Sequence, residues 1–215
     1  MSVSWVLFDL DGTLTDSKLG IVRCIRHALE RMGLDLPDDE TLGQYIGPPL
    51  QSVFPKLIGS DDIAHVDVAI KHYRERFGEV GLFDNEVYDG IPAALQALEA
   101  HGLNMVLATS KPLPYAERII NHFELGHFFR GLYGSTMDGV LSAKADIIAL
   151  ALKREAIPPE EAIMVGDRKH DILGAKFNGI ASIGVLYGYG DRDELTLAGA
   201  SLLCEKPSDL PGLIV

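Results

Sequence analysis

The sequence predicts an α/β fold: a Rossmann-like, doubly wound, mainly parallel sheet with an inserted helical cap domain. Three observations predict it. A short apolar run, Val6-Leu7-Phe8, ends in acidic residues and a glycine turn. From Glu86 onward, short apolar runs alternate with stretches whose apolar residues recur at helical spacing, the pattern of parallel strands joined by crossover helices. Between these regions, Thr15 to Asn85 far exceeds the roughly dozen residues a parallel crossover needs, and it carries apolar stripes of its own. The domains read as residues 1–15 and 84–215 for the α/β core and 16–83 for the helical cap.

Val6 to Phe8 reads as a buried strand bounded by a turn. Val22, Ile25, Leu29 and Met32 then mark a helix with Lys18, Arg23, Arg26 and Arg31 on its other faces. Pro37 opens an acidic first turn, Asp38-Asp39-Glu40, suited to a helix N-terminus. Ile46-Gly47-Pro48-Pro49-Leu50 is a turn between helices, and Ile63, Val66, Ile70, Tyr73 and Phe77 form a second apolar stripe. In the core, Ile91, Leu95 and Leu98 mark a helix that Gly102 ends, followed by the strand Met105 to Ala108. Leu113, Ala116, Ile120 and Phe123 make the next helix, and Gly131 to Gly134 a weaker strand. Ala145, Ile148 and Leu152 lie on a helix stopped near Pro158-Pro159, and Ala162 to Val165 is a strand. Ile172 and Ala175 lie on a helix closed by Gly179, Ser182 to Val185 is a strand, and Ser201-Leu202-Leu203 adds an edge strand. Tyr187-Gly188-Tyr189-Gly190 reads as a flexible turn after a strand, or as a segment that shapes a site.

The chain has 215 residues, enough for one full core and a second small module. Its formal charge of −12 argues against a nucleic-acid or anionic-membrane surface, where a basic patch is expected. A small phosphorylated substrate stays open, because a metal ion and a few lysines can reverse the local field. Cys24 and Cys204 lack any metal-ligand spacing and read as two reduced, buried thiols. Asp9 follows the N-terminus too soon for a secretory leader, and no apolar run reaches transmembrane length, so a cytoplasmic protein is expected. Nothing in the sequence indicates an oligomeric state.

Asp9 and Asp11 follow the first strand two residues apart, so on a continuing strand their side chains would share a face. Carboxylates held that close repel unless a cation or proton is shared between them, and a hard, oxygen-liganded ion such as Mg²⁺ meets that need. Two further strands also end in polar residues: one in Thr109-Ser110-Lys111, the other in Gly166-Asp167-Arg168-Lys169-His170-Asp171. Parallel strands bring these sets to the carboxyl edge of the sheet, where ligands collect. Thr109 and Ser110 could donate to phosphate oxygens or cap the helix beyond Pro112. Lys144 could neutralise a phosphoryl group or be an exposed lysine of a first helical turn. Asp167 could be a third metal carboxylate or a helix cap, and Asp171 could hold a metal-bound water or Lys144.

Asp9-Leu10-Asp11-Gly12-Thr13-Leu14-Thr15-Asp16-Ser17, Thr109-Ser110-Lys111, Lys144 and Gly166-Asp167 with Asp171 resemble, in order, the four motifs of the haloacid dehalogenase superfamily. The helical insert resembles the small-cap phosphoglycolate phosphatases and β-phosphoglucomutases. Ile46-Gly47-Pro48-Pro49-Leu50, Gly166-Asp167-Arg168 and Tyr187-Gly188-Tyr189-Gly190 are more similar to a phosphoglycolate phosphatase branch with 5′-nucleotidase-like members. The chain departs from its relatives at Val140-Leu141-Ser142, where an arginine often stands.

The resemblance implies a Mg²⁺-dependent phosphatase that hydrolyses a small phosphorylated metabolite, a phosphoglycolate-like ester or a nucleoside monophosphate. Asp9 would be the nucleophile, forming an aspartyl-phosphate; Asp11 the general acid and base; and Lys144 a catalytic cation. Gly12, Thr109, Ser110 and Lys111 would contact substrate, and Asp9, Asp11 through its main-chain carbonyl, Asp167 and Asp171 would serve the metal. A phosphomutase of the β-phosphoglucomutase type shares these core residues. A non-enzymatic phospho-acceptor domain is the remoter alternative, since it needs neither the acid at Asp11 nor the long insert.

Overall fold

The computed structural model describes residues 3–215. In chain order the elements are β1 (Trp5–Phe8), β2 (Thr15–Asp16), α1 (Lys18–Arg31), α2 (Asp39–Gly43), α3 (Leu50–Ile58), α4 (Ile63–Arg76), β3 (Glu86–Val87) and α5 (Ile91–Ala100). They continue with β4 (Asn104–Pro112), α6 (Leu113–His122), β5 (Phe129–Ser135), α7 (Lys144–Arg154), β6 (Ala162–Gly166), α8 (Lys169–Phe177), β7 (Ala181–Val185), α9 (Arg192–Ala198), β8 (Leu202–Cys204) and α10 (Leu210–Ile214). Internal packing divides the chain into two units, Met1–Asp16 with Val87–Val215, and Ser17–Glu86.

The first unit is an α/β layer structure. Its six-stranded sheet runs β5-β4-β1-β6-β7-β8, and the pairs are parallel throughout. The strands are continuously apolar because both sheet faces are covered. Leu7, Val106, Ala108 and Met164 pack with Ile147, Ile148 and Ala151 of α7 and Ala175 of α8 on one face. Their strand neighbours Val6, Phe8, Met105, Leu107, Ile163 and Val165 are buried as well. The chain proceeds from β1 through β4 to β5 on one side and from β6 through β7 to β8 on the other. The order therefore reverses at β1, and loops leaving the carboxyl ends of β1, β4 and β6 open onto one crevice.

The second unit is helical. Ile21, Val22, Cys24, Ile25, Ala28 and Leu29 form the buried face of α1, which packs on α4 through Val66, Ala69, Ile70 and Tyr73. Phe54 meets Tyr73 edge-on and Tyr73 stacks on Phe77, which begins a π-helical turn ending at Gly81. Arg23 and Arg76 both pair with Asp84, and Arg26 pairs with Asp39, so these cations serve the unit's own structure.

Several details differ from the expectation. Ile63 is largely exposed: it is the first residue of α4, and the apolar stripe begins a turn later at Val66. Asp38, whose carboxylate accepts the Thr41 N–H, caps α2, so Pro37 lies outside the helix. Helices α3, α9 and α10 have no counterpart in the periodicity. They are short, and α3 carries Pro55 inside it and buries only Val53 and Phe54. No helix among the described residues is long and apolar enough to cross a membrane.

Candidate active site

Strand β1 stops at Phe8, so Asp9 and Asp11 lie in the turn that follows and not on a continuing strand. The Asp9 N–H donates to the Val165 carbonyl at 3.0 Å, which carries the sheet register one residue past the strand. The turn then closes on itself. The N–H groups of Thr13, Leu14 and Thr15 donate to the Leu10 carbonyl, and the Gly12 N–H donates to that of Thr15. Leu10 and Leu14 are fully buried and anchor it. Gly12 adopts φ +79°, and a Cβ there would lie 2.1 Å from Asp167 Oδ2. Glycine is required on both counts.

Strand β4 continues to Pro112, four residues past the apolar run, because proline holds the residue before it extended. The N-cap of α6 is Pro112, with no side-chain cap, so Thr109 and Ser110 are strand residues and do not cap that helix. Thr109 is buried, and its hydroxyl accepts the Lys111 N–H at 3.2 Å. Ser110 follows it, half-buried. Lys111 Nζ lies 2.9 Å from Asp11 Oδ1.

Lys144 is the first residue of α7, yet it is buried; the exposed alternative does not hold. Its ammonium contacts Asp9 Oδ1 at 2.7 Å, Asp171 Oδ1 at 2.9 Å and the Ala108 carbonyl at 2.9 Å. These three acceptors match its three hydrogens. Burial alone would lower the Lys144 pKa, but the carboxylates of Asp171 and Asp9 outweigh it and hold the lysine above its ordinary range.

Asp167 follows β6 and is wholly buried. Arg168, not Asp167, is the N-cap of α8, and the Arg168 N–H donates to Asp171 Oδ2 at 3.0 Å. Gly166 makes room for that contact, since a Cβ on it would sit 2.3 Å from the Asp171 carboxyl carbon. Asp167 Oδ2 accepts the Tyr189 N–H at 2.8 Å, while Oδ1 is buried with no hydrogen-bond partner.

One oxygen each from Asp9, Asp167 and Asp171 lies within 4.8 Å of the others. The Asp11 carboxylate is outside this group. Burial, then the charges of Asp171 and Asp9, raise Asp167 well above the usual carboxylate range. Asp171 is pushed up to about 6 by burial and by Asp9, against the opposing pull of Lys144. Three buried acids beside one lysine form an electron-rich, under-compensated pocket, and the orphaned Asp167 oxygen points to a missing positive charge. An oxygen-only donor set fits a hard divalent cation of the Mg²⁺ type.

The Tyr187–Gly190 segment is not a free turn: it packs on this cluster. The Tyr187 hydroxyl donates to the Thr13 carbonyl at 3.1 Å, and the Tyr189 hydroxyl donates to Asp16 Oδ1 at 2.9 Å. A Cβ on Gly188 would lie 2.2 Å from the Gly12 carbonyl oxygen, and one on Gly190 would lie 2.0 Å from the Asp167 carbonyl oxygen. The alternating Tyr-Gly-Tyr-Gly pattern was the visible signal of that close approach. His170, on the first turn of α8, is exposed. Both cysteines are buried, and neither is in a disulfide.

A family model described as haloacid dehalogenase-like hydrolase matches residues 6–185. The chain is 47% identical over 190 residues to a 5′-nucleotidase from Pseudomonas aeruginosa, covering 88% of this chain and 86% of that protein. It is 39% identical over 188 residues to tyrosine-protein kinase PtkA from Mycobacterium tuberculosis, covering 87% of this chain and 64% of that one. Among solved structures, a predicted phosphatase from Clostridium acetobutylicum is similar with a TM-score of 0.95 at 41% identity, covering 100% of this chain and 99% of the other.

Proposed function

We infer the mechanism from one premise: the chain belongs to the haloacid dehalogenase-like hydrolases and is a phosphatase of that family, a phosphoric monoester hydrolase. Its substrate is a small monoester, a nucleoside monophosphate or a phosphoglycolate-like compound. The 47% identity to a 5′-nucleotidase favours the nucleotide.

The carrying observation is the pairing of Asp9 with Lys144 beside Asp167 and Asp171. Asp9 attacks phosphorus, forming the aspartyl P–O bond as the ester P–O bond breaks. Asp11 gives its proton to the departing oxygen. It then takes a proton from water as the water oxygen attacks phosphorus, which breaks the aspartyl P–O bond and returns Asp9 with inorganic phosphate. Lys144, in contact with Asp9 Oδ1 at 2.7 Å, orients that carboxylate for attack. Thr109, Ser110, Lys111 and the Gly12 backbone orient the transferring group, since phosphoryl transfer is largely positioning and electrostatics.

Asp9, Asp167 and the Asp11 main-chain carbonyl would hold Mg²⁺, with Asp171 behind them. Bound there, the ion supplies charge neutralisation between Asp9 and the phosphate dianion. A phosphomutase reading keeps the same core, and no observation favours it.

The test is a panel of phosphate monoesters assayed with Mg²⁺: nucleoside monophosphates, phosphoglycolate, sugar phosphates and phosphotyrosine. Turnover should require the metal and vanish in Asp9→Asn. A rate that survives EDTA, or that Asp9→Asn leaves intact, would overturn the mechanism.

A further inference from the structure

Asp167 is the most deeply buried acid of the cluster, yet its carboxylate accepts one hydrogen bond, from a backbone N–H that lies 22 residues away in the chain. A ligand carboxylate held by a single donor is only as well oriented as the segment that carries the donor. That segment, Tyr187 to Gly190, is irregular, since it lies between β7 and α9. Its fixation must come from side chains.

Two phenols provide it. Tyr187 reaches the Thr13 carbonyl, within the turn that carries Asp9 and Asp11, and its ring meets Tyr88 edge-on with centroids 5.2 Å apart. Tyr189 reaches Asp16, the last residue before the helical unit begins at Ser17. Gly188 and Gly190 let the segment lie directly on Gly12 and Asp167. One short loop thus touches the Asp9–Asp11 turn, the buried carboxylate and the exit from β2.

We propose that Tyr189 is a positioning residue for the metal site: its phenol, anchored on Asp16, aims its own N–H at Asp167 and so sets the orientation of that carboxylate. The proposal rests on the reading that Asp167 is a ligand to the divalent ion. It assigns to the hydrogen bond from Tyr189 Oη to Asp16 Oδ1, which stands beside a further side-chain hydrogen bond of Tyr189 with Tyr88, the anchoring of the loop on β2. Asp16 is exposed and Tyr189 is half-buried, so neither substitution opens a core cavity.

The test measures Mg²⁺ binding directly, by calorimetric titration without substrate, on wild type, Tyr189→Phe, Asp16→Ala, the double variant and Asp16→Asn. Each single loss should weaken binding about tenfold, the low end of the 10–100-fold typical of outer partners of metal ligands. The double variant should be no weaker than Tyr189→Phe alone, because that substitution already removes the bond to Asp16. Asp16→Asn keeps an acceptor oxygen and should bind like wild type. Single variants with wild-type affinity, or losses that multiply in the double variant, would overturn the proposal. Thermal melts of the metal-free proteins separate a merely structural role, which would lower their stability and leave the affinity unchanged. Wild type that binds no Mg²⁺ would overturn both this proposal and the metal reading beneath it.

Discussion

Lys111 and Asp11 form an ion pair, Nζ to Oδ1 at 2.9 Å, while Asp9, two residues earlier, is paired with a different cation, Lys144. The two acids of one turn thus sit in separate electrostatic surroundings. Asp9 shares its lysine with Asp171 and lies among buried carboxylates; Asp11 faces the end of β4. Distinct surroundings are what allow adjacent carboxyl groups to take distinct roles.

The Lys111–Asp11 pair carries the first prediction. Asp11→Asn should slow turnover by roughly 10²–10⁴-fold, the usual loss on removing a general acid–base. Lys111→Met should lower kcat/KM by about 10²-fold, as for one lost donor to a developing charge, with KM raised because the substrate is an anion. Adding Lys111→Met to Asp11→Asn should cost less than the product of the two effects, since the residues act through one contact. Steady-state kinetics on the four proteins decide it; strictly multiplicative losses would show that the pair does not act as a unit.

Lys144 carries the second. Its ammonium touches both Asp9 and Asp171, and it is nearly wholly buried. Lys144→Met strands two buried carboxylates, and breaking such a pair costs about 3–5 kcal/mol. Denaturant melts should show Lys144→Met with Asp171→Asn less destabilised than the sum of the single variants, because the second change removes one stranded charge. Additive losses would mean that the contact carries no coupling.

The sheet was legible because strands covered on both faces become unbroken apolar runs, as at Val6 to Phe8 and Ala162 to Val165. The meeting of Asp9, Thr109 and Asp167 at one rim was legible for a related reason: parallel strands share a direction, so residues at their ends share an edge. Lys144 was harder. A lysine at the start of a helix reads the same in sequence whether exposed or inserted between two acids, and burial is decided by groups distant in the chain. The Tyr187–Gly190 loop showed its alternating glycines, but its partners were obscured for that reason too. The bond from Tyr187 to Thr13 spans 174 residues and leaves no local periodicity. For α9 a signal was present, Asp191 three residues before Glu194, and the Asp191 carboxylate does accept the Glu194 N–H at 2.7 Å.

The third prediction concerns Cys204, at the end of β8. Burial, then the charges of Asp209 and Glu205, raise its thiol from an ordinary 9.0 up to about 11. A pKa raised by folding means that the folded protein holds the proton more tightly. The contribution to stability is therefore full below about pH 9 and lost as pH rises through about 11. Thiol reagents need the thiolate, so Cys204 should react slowly in the native protein at pH 8, and at pH 9.5 as well. In denaturant both Cys24 and Cys204 should label promptly. Fast native labelling at pH 8 would show that the thiol is neither buried nor shifted.

The last prediction concerns the helical unit, Ser17–Glu86. Every residue given a chemical role, Asp9, Asp11, Gly12, Thr109, Ser110, Lys111, Lys144, Asp167 and Asp171, belongs to the other unit. The α/β unit also has its own sheet and its own core. Chemistry should therefore survive excision of residues 17–86 with a short bridge in their place, and the excised protein should still hydrolyse an activated ester such as p-nitrophenyl phosphate. Selectivity should not survive. Binding energy from parts of the substrate remote from phosphorus is what raises turnover of a preferred ester, and the roles proposed for the α/β unit's residues all concern the phosphoryl group. Ranked kcat/KM values for nucleoside monophosphates, phosphoglycolate and sugar phosphates should converge in the excised protein, with circular dichroism confirming its fold. If the folded, excised protein keeps the parent ranking, substrate choice resides in the α/β unit, and the loops at the carboxyl ends of β4 and β7 become the segments to vary next.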